Sequence, residues 1–74
     1  MLIHVKCFAT LARKSPPGGT LDLPEGADVA EAMQRLGIAP DDVKILFVNG
    51  VHVTPQARLA EGDQLGLFPA VGGG

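Results

Sequence analysis

The chain has 74 residues, room for one domain and no second core. A domain this small buries only about 60% of the surface its unfolded chain exposes, yet a single cysteine and two histidines exclude both an internal disulfide and a four-ligand Cys/His zinc site. A net charge of −2, with 19% charged and 46% hydrophobic residues, excludes a basic nucleic-acid binder and a disordered chain.

Residues 2–9 alternate. Ile3, Val5 and Cys7 face one way, while Leu2, His4, Lys6 and Phe8 face the other, as in a half-buried strand. Ala9 to Lys14 can hold a short helical turn before Ser15-Pro16-Pro17-Gly18-Gly19 breaks regular structure. Thr20 to Leu23 alternates again and pairs with the first strand as a hairpin. Asp28 sits where a helix N-cap belongs, able to accept from the Glu31 amide while Glu31 reaches back. Val29, Ala32, Met33 and Leu36 follow at i, i+3, i+4 and i+7, one apolar stripe. Gly37 stands where a left-handed residue closes a helix, and Ile38 to Asp42 is a linker.

Ile45-Leu46-Phe47-Val48 is a continuous apolar run and predicts a central strand covered on both faces. Asn49-Gly50 is a tight-turn signal, and Val51 to Val53 continues as a short strand. Thr54 to Ala60 and Glu61-Gly62-Asp63 are turns. Gln64 to Phe68 is the last strand, with Leu65 and Leu67 on one face and Gly66 and Phe68 on the other, and Pro69 ends it. Strand, strand, helix and three strands make an α+β fold with one helix on one face of a mixed sheet.

The catalytic inventory is thin. Cys7 shares its face with Ile3 and Val5, which places it in the core as a small hydrophobe. His4 and His52 are surface residues. Asp41-Asp42 is solvated turn charge, and Lys44 and Arg35 are surface charges. No metal site is expected. No segment nears the ~20 apolar residues of a membrane span, and the start has no signal-peptide pattern. With a lone cysteine these point to the cytoplasm, with no membrane or nucleic-acid partner. The unusual feature is Gly72-Gly73-Gly74. A side-chain-free thread can enter a narrow channel and puts no bulk beside an attacked carbonyl. A frayed end accounts for it equally well on composition alone.

From the first strand to the last residue the sequence resembles the ubiquitin-like β-grasp sulfur carriers, above all the small subunit of molybdopterin synthase. The resemblance rests on Phe8-Ala9-Thr10-Leu11-Ala12-Arg13, on Val48-Asn49-Gly50 and on Leu59-Ala60-Glu61-Gly62-Asp63. Leu67-Phe68-Pro69-Ala70-Val71 before Gly73-Gly74 completes it. It implies a ubiquitin-like β-grasp domain over residues 1–70, with four to five strands and one main helix, and a flexible tail at 71–74.

The resemblance also implies a cycle. A ubiquitin-activating-like enzyme uses MgATP to adenylate the Gly74 carboxylate, and a persulfide donor converts it to a thiocarboxylate. The tail, with Gly72 and Gly73, then enters the synthase large subunit. The chain itself is a carrier without a stably bound cofactor. By the same match Phe8, Leu59, Phe68, Pro69 and Val71 form the partner-binding surface, with Phe8, Leu59 and Phe68 as its exposed apolar patch. A thiamine-pathway carrier, a protein modifier joined to lysines through Gly74, and a plain interaction domain are the alternatives.

Overall fold

The computed structural model describes residues 1–70. Within them, five strands and one α-helix run in the order β1 (Leu2–Cys7), β2 (Thr20–Asp22), α1 (Val29–Leu36), β3 (Val43–Val48), β4 (Val51–Val53) and β5 (Gln64–Pro69). Short 3-10 turns cover Ala9–Lys14, Pro17–Gly19 and Pro40–Asp42. The sheet order is β2-β1-β5-β3-β4. β1 and β2 form an antiparallel hairpin, as do β3 and β4. β5 closes the sheet between them, parallel to β1 and antiparallel to β3. This is the β-grasp arrangement, a ubiquitin-like mixed sheet with one main helix.

The alternation of β1 is realised residue by residue: Ile3, Val5 and Cys7 are buried, and Leu2, His4 and Lys6 are exposed. β5 repeats the pattern with Leu65 and Leu67 inside. Val29, Ala32 and Met33 of α1 join them, and Leu11, Leu23, Ala27, Ile38, Leu46 and Leu59 complete the core. Leu36, last of the helical stripe, packs half-buried at its edge.

One expectation about the sheet is corrected. The apolar run 45–48 is not the centre; β5 is, and β3 lies next to the edge strand β4. Leu46 is buried, but Ile45 and Phe47 are only half-buried. An eight-residue helix covers one face of the sheet and leaves the other open, so a continuous apolar run here means an apolar outer face.

The helix starts as its sequence requires. The Asp28 carboxylate accepts from the Glu31 amide at 2.9 Å, one of the amides a helix start leaves without a partner. Glu31 does not reach back to close the box; its carboxylate accepts from Arg35 one turn on, at 3.3 Å. The Val29 and Ala30 amides donate to the carbonyls of Ala57 and Pro55, so the 54–60 loop serves as a second cap. Gly37 closes the helix at φ 73°, and Lys14 Nζ donates to its carbonyl at 2.9 Å.

A second set of bonds ties the turns together. Asn49 and Gly50 both hold positive φ in the β3–β4 turn. Asn49 Nδ2 donates to Asp63 at 2.9 Å, and the Gln64 amide donates to Asn49 Oδ1 at 2.9 Å. Asp63 also accepts from the Ala60 amide at 2.8 Å, and its carbonyl accepts from the His4 amide. This links the β3–β4 turn, the approach to β5 and strand β1. Asp63→Ala should therefore cost about 1–3 kcal/mol, far more than an ordinary exposed turn substitution. Urea melts of the two proteins measure it.

Candidate functional site

The open face of the sheet carries the aromatic residues. In the parallel β1–β5 pair Cys7 lies opposite Leu67, so the next residues, Phe8 and Phe68, come side by side on the other face. Their rings stack with centroids 4.2 Å apart and planes 6° from parallel. Phe47 meets Phe68 edge-on, at 5.7 Å and 80°. His52, opposite Phe47 in the β3–β4 ladder, lies 5.8 Å from it. The Lys6 ammonium sits 5.4 Å from the centroid of Phe8. Aromatic pairs of this kind contribute roughly 0.5–1.5 kcal/mol beyond area burial. All three phenylalanines remain half-buried, so ring area stays available to a partner.

The structure brings together Phe8 and Phe68 of the expected patch and separates two other members. Leu59 is only 5% exposed and belongs to the core. The cause is backbone bonding. The Leu59 amide donates to Ala27, and the Val29 and Ala30 amides take the carbonyls of Ala57 and Pro55. The segment is thereby stitched along the helix start, with Leu59 turned beneath it. Pro69 is also buried. It is the last residue of β5 opposite Val43, beside a register irregularity between Val43 and Ile45, a place that tolerates a residue without an N–H. Just beyond, the Ala70 amide donates to the Asp42 carbonyl at 3.0 Å, which pins the chain after β5. Val71, Gly72, Gly73 and Gly74 lie outside the described residues.

Phe47 is the site residue that sequence reasoning missed. The Asn49-Gly50 turn contained the signal, since a hairpin at that point fixes which residues of the apolar run share a face.

Cys7 is buried beneath the sheet. Burial pushes its thiol above the ordinary value of 9.0, and a hydrogen bond with the Ser15 side chain pulls the other way. A reactive thiol needs the opposite setting. No group of three or more potential metal ligands occurs among the described residues. No helix among them is long and apolar enough to cross a membrane.

The sequence matches the ThiS family over residues 5–74. The chain belongs to the ThiS family of ubiquitin-like sulfur carriers. Two solved structures agree. Small archaeal modifier protein 1 of Haloferax volcanii is 27% identical with a TM-score of 0.73, each chain being covered over 100% of its length. A Pyrococcus furiosus protein assigned as molybdopterin converting factor, subunit 1, is 27% identical with a TM-score of 0.74, over 96% of this chain and 99% of that one. The Haloferax volcanii protein HVO 2177 shares the fold at 22% identity and a TM-score of 0.73, over 100% of this chain and 87% of that one. No curated protein matches the sequence. ThiS-family members are carriers rather than catalysts, and membership implies an activating enzyme of the ubiquitin-activating kind as partner.

Two measurements test this placement of side chains in the ThiS-family chain. Leu59→Ala should behave as a core truncation and cost about 2–5 kcal/mol in denaturant melts, whereas Phe68→Ala, losing a half-exposed ring, should cost clearly less. The second concerns pH. A thiol whose pKa is raised by folding contributes stability below its unfolded value, and loses it as pH rises through the folded one. Stability should therefore decline from about pH 9 upward, and Cys7→Ala should remove that part of the alkaline slope.

Proposed function

We propose that this chain carries sulfur on Gly74 for molybdopterin formation, as the small subunit of a molybdopterin synthase. In this reading the Gly74 carboxylate attacks the α-phosphorus of MgATP on an activating enzyme, and pyrophosphate leaves. The outer sulfur of a persulfide donor then attacks the acyl carbon and AMP leaves, giving an acyl disulfide. A second thiol of the donor attacks the donor-side sulfur of that S–S bond, forming a disulfide and releasing the thiocarboxylate. The charged tail, Val71 to Gly74, enters the large subunit, which takes the sulfur for the pterin dithiolene.

The observation that carries the proposal is the stacked Phe8–Phe68 pair, half-exposed on the open face one residue before Pro69 and Ala70 lead the chain toward Gly74. Ordering three glycines costs about 3–6 kcal/mol before any contact is counted. Burying large apolar side chains returns roughly 1.5–3 kcal/mol for each. A tail that must be threaded is thus best served by an adhesive surface beside its root. The likeness to the Pyrococcus furiosus protein assigned as a molybdopterin converting factor subunit, and a family match running through residue 74, support the same reading.

The equal likeness to small archaeal modifier protein 1 supports a second reading, in which Gly74 is joined to lysines of other proteins. A thiamine-pathway destination uses the same thiocarboxylate. Intact mass of the chain isolated from its own cells, with a search for its lysine conjugates, separates carrier from modifier. Exchange of one oxygen for sulfur at Gly74 supports the carrier, and Gly74–lysine isopeptides support the modifier. With an activating enzyme, MgATP and a sulfur donor, deletion of Gly74 should abolish loading and leave the thermal melt unchanged. Normal loading of the truncated chain would end the proposal. Phe68→Ala should weaken binding to the large subunit by at least about 1–2 kcal/mol, read in a calorimetric titration.

A further inference from the structure

The Asn49 side chain is held at both of its heteroatoms. Its Nδ2 donates to Asp63 Oδ1, and its Oδ1 accepts from the Gln64 amide, each at 2.9 Å. The Asn49 amide adds a bond to the Gln64 carbonyl at 2.8 Å. The partners dictate the orientation, because an ionised carboxylate only accepts and a backbone N–H only donates. Position 49 therefore needs a donor and an acceptor on one short side chain. Asparagine supplies both, whereas aspartate supplies only acceptors.

The residue that follows makes this amide perishable. In an Asn-Gly pair the glycine nitrogen can attack the asparagine Cγ, since glycine has no side chain to hinder the approach. Asn49 and Gly50 are both exposed, and the space beside the Gly50 α-carbon is open. As the N–Cγ bond forms, the Cγ–Nδ2 bond breaks, and ammonia leaves with the glycine amide proton. Water then opens the cyclic imide at one of its two carbonyls. One opening gives aspartate, and the other gives isoaspartate, which adds a methylene to the main chain within the β3–β4 turn. One water is consumed, one ammonia is released, and nothing is oxidised or reduced.

The clamp resists the first of these steps and is destroyed by the last. Attack requires Cγ to turn toward the Gly50 nitrogen, against the two bonds that hold it. After conversion to aspartate, a carboxylate oxygen stands in place of Nδ2 and faces Asp63. The other Asp63 oxygen is already engaged by the Ala60 amide, and no cation pairs with Asp63 among the described residues. Two carboxylates at that separation disfavour one another. Backbone strain adds nothing, because aspartate tolerates the positive φ of position 49 as asparagine does.

We propose that Asn49 is a deamidation site, protected by Asp63 while the clamp is closed, and that its conversion unfastens the start of β5. The bonds released are those to Asp63 and to the Gln64 amide. β5 carries Phe68 and leads to the chain end, so the modification loosens the strand from which the tail departs. The proposal does not depend on what Gly74 carries.

The test incubates the full chain at mildly alkaline pH, below its melting temperature, and follows ammonia release and the mass of the peptide holding Asn49, the one asparagine of the chain. Asp63→Ala should speed the conversion about fivefold or more, as loss of a charge-assisted hydrogen bond predicts. Val29→Ala, weakened in the core with its clamp intact, should not. Asn49→Asp should lower the melting temperature by about 5–15 °C and speed hydrogen exchange of the Gln64 amide. The double variant Asn49→Asp/Asp63→Asn returns one amide and one carboxylate to the clamp with their places exchanged, and should recover most of that loss. If Asn49→Asp does not fold, a folded double variant makes the same case. Equal conversion rates with and without Asp63 would overturn the proposal, as would an equal gain in Val29→Ala, which would give control to global unfolding. An Asn49→Asp chain that melts with the unaltered one, or a double variant no more stable than the single, would overturn it too.

Discussion

Alternation along β5 is the constraint on which the rest of the molecule depends. The strand lies between two hairpins, so its inward residues must pack against both at once. Leu65 and Leu67 do so at 1% and 0% exposure. Because the side-chain period of a strand is two, burying Leu65 and Leu67 forces Gly66 and Phe68 onto the opposite face. The core and the candidate docking face are thus two sides of one register. A slip of one residue would bury Phe68, expose both leucines and dismantle core and patch together.

That register is held from outside the strand. The Asn49–Asp63 bonds grip the start of β5, and the Asp42 carbonyl takes the Ala70 amide just past its end. A six-residue strand fastened at both ends has little freedom to slide. The fastening groups come from the β3–β4 turn, the β5 approach and the 3-10 turn before β3. The first two are segments where short motifs stand out in the sequence, and their apparent functional signature is in large part the hardware of the register.

Strand positions were legible where alternation was strict, as in residues 2–8 and 64–68. The helix was legible from its cap, its stripe and Gly37, each of which carries a local physical signal. Legibility failed where the deciding contact is remote in sequence. Leu59 follows a turn-like segment, and nothing near it announces that Pro55, Ala57 and Leu59 bond to residues 27–30. The run 45–48 reads as doubly covered because apolar content does not distinguish a buried face from a sticky one. Only the short length of α1 limits how much sheet can be covered. The same limit explains why Phe8 and Phe68 were correctly placed away from the helix while Phe47, their neighbour in the sheet, was not.

The open face resolves a tension of small domains. A chain of 74 residues has little core to spare, yet three phenylalanines stand on its outer surface. Mutual stacking shelters part of each ring in the free protein, and the Lys6 ammonium over Phe8 gives the patch a hydrated charge at its edge. Gly66 then works against stability without any demand from its own backbone. A surface selected only to be quiet in water would place a β-branched or polar residue between Phe8 and Phe47, where it would strengthen the central strand and cover ring area. Glycine there forgoes both gains and keeps the faces of Phe8 and Phe47 open on the side of the sheet that the helix does not cover.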